Sequence, residues 1–282
     1  RGGHGGGSKV FVDMPICTAD DSTHKTPEAL RKHLRAWMAA NPEVAKTWAI
    51  DYLRQRKADK GLVYAPSQAE LRTLYCPTMP YFESIGGYYE ITRSLGFKDR
   101  YVKEPVYLTP LLRETRIVCD TREQRALALP YQTINEALNY GDYALAPPHD
   151  KGIRIERKGT SDLWGTMTSK KVKHKRIAED SPCERFEREL IRTQEAGGYI
   201  VMIVESTIKD TENHRDQTGF GKAGAAHIFK NLRDLLVKYP HTWQVLFADG
   251  RTDAAAKLVK VFEMGEQVKR VDLQWAAEKG DI

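Results

Sequence analysis

The chain has 282 residues, 41% hydrophobic and 29% charged, which is enough apolar material for a full core and excludes a minimal scaffold or a largely disordered chain. Its net charge of +6 and isoelectric point near 9.0 are a modest basic excess that favours an anionic partner. At roughly 100 to 200 residues per domain, the length predicts two modules.

Cysteine usage and hydropathy restrict the compartment. The four cysteines show no CxxC spacing, which predicts reduced thiols rather than disulfides. No run of about 18 apolar residues is present, and the Gly-rich residues 1–8 lack the apolar segment of a signal peptide. We therefore expect a soluble cytoplasmic protein with no membrane partner, in which residues 1–8 are a flexible tail or a remnant of cloning.

Helix signals dominate residues 9–102. An N-cap, a first-turn proline and an acidic first turn follow one another at Thr26-Pro27-Glu28, and a second helix is predicted over Pro42 to Gln55. A further capped helix start lies at 66–71. We interpret this segment as a small helical module, followed by an extended proline-containing linker over 103–115.

Strand and helix patterns alternate in residues 116–282, which we expect to form a second domain. Arg116 to Asp120 is predicted to be a strand, and a short helix is predicted around Gln132 to Asn139. Residues 141–145 and 152–158 are predicted to pair as an antiparallel hairpin.

Two continuous apolar runs in the last third, Tyr199 to Glu205 and Trp243 to Ala248, have the length of strands that are covered on both faces. Helices are predicted over 162–167, 184–195, 221–239 and 252–264. The expected fold is α/β, with a mixed sheet flanked by helices and preceded by the mainly helical module.

Asp142, Glu156 and Lys158 carry the spacing that suggests chemistry. Side chains alternate along a strand, so Glu156 and Lys158 project from one face and Arg157 from the other. The predicted hairpin brings Asp142 beside Glu156, and two carboxylates make a hard-oxygen site that suits Mg²⁺ or Mn²⁺. The alternative is a ladder of surface charges with Asp142 as a turn residue.

The same residues match the signature of a known family. Gly141-Asp142 and, after thirteen intervening residues, Glu156-Arg157-Lys158 with Asp162 resemble the GD, ERK-xxx-D pattern of the XPF-type nuclease domain. That domain is a branch of the PD-(D/E)XK restriction-like nucleases, and Asp120-Thr121-Arg122-Glu123 resembles its preceding D-x-R-E element. The resemblance runs from about Arg116 onward and implies a restriction-endonuclease-like fold.

The resemblance also implies roles for these charged residues. Asp142 and Glu156 would hold Mg²⁺ or Mn²⁺, and Lys158 would assist the attacking water in hydrolysing a phosphodiester. Two more residues implied to be catalytic are Asp120 and Arg157, and the residues implied to support the site are Arg122, Glu123 and Asp162.

Three departures limit what the resemblance implies. Glu189, after Arg185-Phe186, stands where the family's R-L-x-x-Q element has Gln, so the role of this helix is left open. The predicted hairpin tip at 147–151 makes the gap between Asp142 and Glu156 a few residues longer than is usual in the family. No tandem helix-hairpin-helix motif follows, so specificity for forks or flaps is not implied.

A basic run, SKKVKHKR at 169–176, follows the predicted hairpin. Such a loop is suited to contacts with DNA phosphates, and the alternative is a solvated run of charge. The predicted DNA-binding residues are Lys170, Lys171, Lys173, Lys175, Arg176 and Arg185.

Two features of the helical module bear on the binding of zinc and of DNA. Cys17, His24 and His33 are residue types that bind zinc, but the paired C-x₂₋₄-C of zinc sites is absent, so the spacing predicts no structural zinc. Residues 66–96 are loosely similar to helical repeats that assist DNA recognition in homing and phage-type endonucleases. A module that packs on the nuclease for stability is the alternative.

The sequence thus predicts a metal-dependent DNA endonuclease of a phage or mobile-element-like kind, with DNA as its partner and homodimer formation left open. A catalytically silent DNA-binding subunit is the main alternative, and the intact Asp142, Glu156 and Lys158 argue against it. A nuclease for RNA or nucleotides is a third hypothesis, because the same metal chemistry permits it.

Overall fold

The computed structural model describes residues 16–168, 181–214 and 224–282. One six-stranded sheet, in the order β2-β1-β3-β4-β5-β6, lies at the centre of these residues. The strands are β1 (Arg116–Asp120), β2 (Gln132–Glu136), β3 (Tyr143–Leu145), β4 (Ile153–Lys158), β5 (Tyr199–Val204) and β6 (Trp243–Phe247).

Pairing in this sheet is mixed. β1 pairs in parallel with β2 and antiparallel with β3, and β3 pairs antiparallel with β4. β4, β5 and β6 are parallel neighbours. The predicted hairpin is confirmed in the register Tyr143↔Ile155 and Ala144↔Arg154. Its connection spans residues 146–152, so the longer tip is accommodated outside the paired strands.

Helices cover both faces of the sheet. Those that follow β4 are α6 (Thr160–Met167), α7 (Pro182–Glu195), α8 (Ile208–Asn213), α9 (Ala225–Lys238), α10 (Gly250–Met264) and α11 (Leu273–Lys279). A short 3-10 helix, Gly265–Lys269, follows α10.

All six residues of β5 are buried, as its continuous apolar run predicts. Val201 and Ile203 pack into a core with α10 and α11, whereas Ile200 and Met202 pack into a second core with α6, α7 and α9. This mixed sheet flanked by helices, preceded by a mainly helical segment, confirms the predicted α/β fold class.

The segment before the sheet is helical, as predicted. Its helices are α1 (Pro27–Ala40), α2 (Pro42–Lys60), α3 (Gln68–Arg72), α4 (Met79–Ser84) and α5 (Tyr88–Ser94). The Thr26 side chain accepts a hydrogen bond from the Ala29 amide, and Ser67 and Glu70 form a capping box at α3. α2 extends beyond the predicted Gln55, to the left-handed Gly61.

The prediction of a helix around Gln132 to Asn139 is wrong, because Gln132–Glu136 forms the edge strand β2. This strand pairs with β1 alone, and four of its five side chains are exposed. An exposed edge strand lacks the alternation of apolar and polar residues that marks a half-buried strand, while β-branched Thr133 and Ile134 favour extended backbone. The beginning of the helix predicted over 221–239 lies outside the described residues.

The helical segment contacts the sheet domain directly. The Gln68 amide donates to the Asp272 carboxylate at 2.7 Å, and Arg72 pairs with Glu278 at 2.8 Å. Residues 103–115 contain no helix or strand, and Val106 packs against the core on the α10 side. The division into modules at residues 102 and 116 stays a prediction.

In the described ranges, every helix is too short or too polar to cross a bilayer.

A buried ion pair stabilises the helical segment. The Arg100 Nη1 atom lies 2.8 Å from Glu70 Oε2, with side chains that are 3% and 2% exposed. Glu70 also accepts a hydrogen bond from the Ser67 amide at 2.8 Å. Removal of either partner leaves the other as a buried charge without its counter-ion, which is costly in a poorly solvated site.

We therefore expect Glu70→Ala to lower the free energy of unfolding by about 3 to 5 kcal/mol, measured by urea denaturation. The matched control is Asp51→Ala, which removes an exposed ion pair with Arg54 on α2 and is expected to cost less than about 1 kcal/mol. Equal losses for the two variants would contradict the role given to burial.

Candidate active site

Gly141 allows β3 and β4 to approach each other at the start of the hairpin. Its φ is +73°, a conformation that favours glycine, and an added Cβ would lie 2.8 Å from the Cβ of Arg154. The next residue, Asp142, donates its amide to the carbonyl of Ile155 at 2.7 Å. The Gly141-Asp142 pair thus fixes the position from which the Asp142 side chain projects.

Asp142 and Glu156 lie opposite each other across these strands. The register Tyr143↔Ile155, extended by one residue, pairs their positions, and opposite residues of an antiparallel pair share a face. The Asp142 Oδ2 atom also accepts a hydrogen bond from the Arg157 amide at 2.7 Å. The structure therefore brings together two carboxylates that are separated in the sequence by thirteen intervening residues.

Lys158 completes this group on the same face of β4. Its Nζ lies 2.6 Å from Glu156 Oε1, and the two side chains are 19% and 7% exposed. An ordinary ladder of surface charges would be open to solvent, whereas Glu156 is buried. The alternative of an exposed charge pair therefore does not describe this site.

Burial raises the pKa of the Asp142 carboxyl, and the nearby carboxylates of Glu123 and Glu189 add to this shift. Burial also raises the pKa of Glu156, with a further contribution from Asp142. For Lys158, burial opposes the charged form, but the surrounding carboxylates, above all Glu156, together outweigh burial and raise the pKa. The site thus concentrates carboxyl groups beside one half-buried ammonium.

Glu189, on α7, brings a third carboxylate to this group. Its Oε1 atom accepts a hydrogen bond from the Gly141 amide at 2.8 Å. Three carboxylates beside one ammonium form an oxygen-rich, negatively charged donor set, which fits a hard divalent cation. Asp142 and Glu156 are the residues that would hold such an ion.

Arg157 lies on the other face of β4. Its guanidinium makes two hydrogen bonds to Glu123, at 2.8 and 3.0 Å, and its Nη1 lies 3.3 Å from Glu205 Oε2. Glu205 in turn pairs with Arg251 at 2.8 Å. The structure therefore separates Arg157 and Glu123 from Glu156 and Lys158, in a network that ties β4 to the loop after β1.

Glu205 and Arg251 are absent from the sequence-based site. Glu205 directly follows the last residue of β5, which is the parallel neighbour of β4. The carboxyl ends of parallel strands are where polar functional groups of α/β sheets collect, and this signal could have singled out Glu205. Arg251 is in the first turn of α10 and has no such signal.

Asp120 is buried at the end of β1 and surrounded by donors. Its carboxylate accepts hydrogen bonds from the Arg122 amide at 2.8 Å, from Arg122 Nε at 2.7 Å and from the Leu138 amide at 2.6 Å. The Arg122 hydrogen bond is the largest cause that lowers the Asp120 pKa to about 2. Because both oxygens are engaged, Asp120 is placed to hold the loop beside the site rather than to bind an ion.

The remaining predicted residues lie around this group or outside the described ranges. Asp162 is exposed in the first turn of α6. Arg185 is exposed on α7, one helical turn before Glu189, so the two side chains share a face of the helix. The structure does not describe Lys170, Lys171, Lys173, Lys175 or Arg176.

The raised pKa of Asp142 makes the metal-free protein less stable at high pH. A carboxyl whose pKa is higher in the folded than in the unfolded state contributes fully to the stability of the fold at pH values below the unfolded pKa. This contribution is lost as the pH rises through the folded pKa. In EDTA at pH 8, Asp142→Asn should therefore have a higher melting temperature than wild type and a free energy of unfolding larger by about 1 to 3 kcal/mol. At pH 4 the variant should show no gain in stability.

The control for this comparison is Asp59→Asn, an exposed position on α2 that should show no pH-dependent gain. Adding Mg²⁺ or Mn²⁺ at pH 8 should raise the melting temperature of wild type and leave that of Asp142→Asn unchanged. A less stable Asp142→Asn in EDTA at pH 8 would show that the carboxylate stabilises the metal-free fold.

No family model matches the chain, and no curated protein matches it. Among solved structures, XPF from Aeropyrum pernix is similar to this chain, with 19% sequence identity and a TM-score of 0.36. The similarity covers 52% of this chain and 63% of that protein, which is less than two thirds of its length.

Proposed function

We propose that this chain is a divalent-metal-dependent DNA endonuclease that hydrolyses phosphodiester bonds at Asp142, Glu156 and Lys158. The observation that carries the proposal is the pair of opposed carboxylates, half-buried Asp142 and buried Glu156, with an ammonium 2.6 Å from Glu156. Buried groups of this kind destabilise a fold when their charges are not balanced, and they are typical of functional sites.

Asp142 and Glu156 would hold Mg²⁺ or Mn²⁺, while Glu189 adds negative charge from α7. When bound, the ion supplies polarisation of the phosphate and lowers the pKa of a coordinated water. Lys158 stays charged, because its pKa is raised, and its Nζ can donate to the attacking water or to a phosphate oxygen. Hydrolysis adds this water across one P–O bond, and the leaving oxygen takes up a proton.

Basic groups near the site support an anionic polymer as the substrate. The Arg122 side chain is 71% exposed although its guanidinium contacts Asp120, so its outer surface is open to solvent. Arg185 is exposed one turn from Glu189. Guanidinium groups beside a carboxylate site can bind phosphates on either side of the scissile bond.

Homodimer formation stays a prediction that sedimentation velocity would test.

Cleavage of plasmid, branched DNA and matched RNA oligonucleotides tests the proposal, each with Mg²⁺, with Mn²⁺ or with EDTA. We expect metal-dependent DNA cutting that falls by at least on the order of 100-fold in Asp142→Ala and in Lys158→Ala, because each variant removes a group that acts on the reacting phosphate. The matched controls are Glu195→Ala at the end of α7 and Lys151→Ala at the hairpin tip, both exposed residues that should leave cutting unchanged.

The other outcomes identify the alternatives. Tight DNA binding without cutting on any substrate would indicate a DNA-binding subunit in place of an enzyme. Faster cutting of RNA than of DNA would assign the same site to a ribonuclease. Cutting that persists in both variants would place the active site elsewhere in the chain.

A further inference from the structure

A tight loop before α1 holds a cluster of metal-binding residue types, far from the carboxylate site in sequence. Ile16 and Thr23 form an isolated β-bridge, and the Cys17 amide donates to the Ser22 carbonyl at 2.8 Å. The Asp21 amide donates back to the Cys17 carbonyl at 2.8 Å. These bonds close the loop on itself and bring Cys17 and Asp20 together.

α1 presents a third ligand to this loop. One ligand atom each of Cys17, Asp20 and His33 lies within 4.8 Å of the other two. His33 Nε2 and Asp20 Oδ2 are 2.7 Å apart. A thiol, a carboxylate and an imidazole from two separate elements of the chain therefore converge on one point.

His24 lies beside the same point. Its Nε2 is 2.9 Å from Ser22 Oγ, and that oxygen is 3.1 Å from His33 Nε2. The two imidazole rings have centroids 4.6 Å apart. The ring nitrogens of both histidines thus approach one hydroxyl, which places His24 next to the set formed by Cys17, Asp20 and His33.

The chemistry of this set suits zinc. Zn²⁺ takes four ligands in a tetrahedron and prefers Cys sulfur and His nitrogen, with Asp or Glu oxygen as a third type. The paired-cysteine rule does not detect this set. Asp20 stands three residues after Cys17, at the position where a C-x₂-C motif has its second Cys. The fold, rather than a paired-cysteine motif, supplies the proximity.

The surroundings also favour a cross-link. Cys17, Leu30 and Leu34 are the buried members of a small apolar cluster, and the loop is joined to itself by an isolated bridge rather than by a strand pair. Small units with little apolar burial gain much of their stability from a bound metal. A metal between loop and helix would fix α1 relative to residues 16–24.

We propose that Cys17, Asp20, His24 and His33 bind one Zn²⁺ in a closed structural site. This site is independent of the proposed nuclease activity, and its ligands all lie in the helical segment. Its role is to hold the loop before α1 in place.

The experiment measures zinc stoichiometry in the full chain carrying Asp142→Ala, which disables the carboxylate site as a competitor. After removal of metals and dialysis against Zn²⁺, we expect one equivalent by mass spectrometry, and none in Cys17→Ser or His33→Ala. The matched controls are Cys183→Ser and His241→Ala, which lie outside the cluster and should keep the full equivalent.

Cobalt gives a readout that needs no destabilising variant. Co²⁺ bound to the chain with Cys17 intact should show a thiolate-to-metal charge-transfer band and the intense visible bands of a tetrahedral site, and His24→Ala should lose the tetrahedral bands. Zinc should also protect Cys17 from alkylation. The proposal is overturned by zinc content that is unchanged in Cys17→Ser and His33→Ala, by the absence of zinc in the parent chain, or by the weak cobalt bands of a six-coordinate oxygen site.

Discussion

Asp142 is the residue on which the geometry of the carboxylate site depends, because it joins three strands at once. Its carbonyl accepts from the Asp120 amide at 2.8 Å, its own amide donates to Ile155, and its carboxylate accepts from the Arg157 amide. A side chain held by backbone hydrogen bonds loses little further freedom when a ligand binds. The register of the central sheet and the position of the Asp142 carboxylate therefore have one common cause.

β4 separates two charge networks by the alternation of its side chains. On one face, the carboxyl groups of Asp142, Glu156 and Glu189 outnumber the single ammonium of Lys158. On the other face, two guanidinium groups balance two carboxylates, those of Arg157 and Arg251 with Glu123 and Glu205. The balanced network stabilises the loop after β1 and the end of β5. The unbalanced group costs stability, which is expected where burial and like charges serve binding rather than folding.

Much of this arrangement follows from sequence patterns that are local. The apolar run of β5 and the Gly141-Asp142 start of β3 each predict their surroundings, because burial and glycine conformation act within a few residues. The edge strand β2 and the short helix α8 carry no strong periodicity and could not be recognised in this way. Glu205 with Arg251, and Cys17 with His33, meet only through the folded chain.

The contact between α3 and α11 also affects the order in which the chain folds. Gln68 and Asp272 are separated by 204 positions, and Trp275 packs against the apolar cluster of the N-terminal helices. During synthesis, these helices leave the ribosome long before α11 exists, so they wait with part of their apolar surface uncovered. The contact of the first helices with α11 thus forms only after α11 has been made.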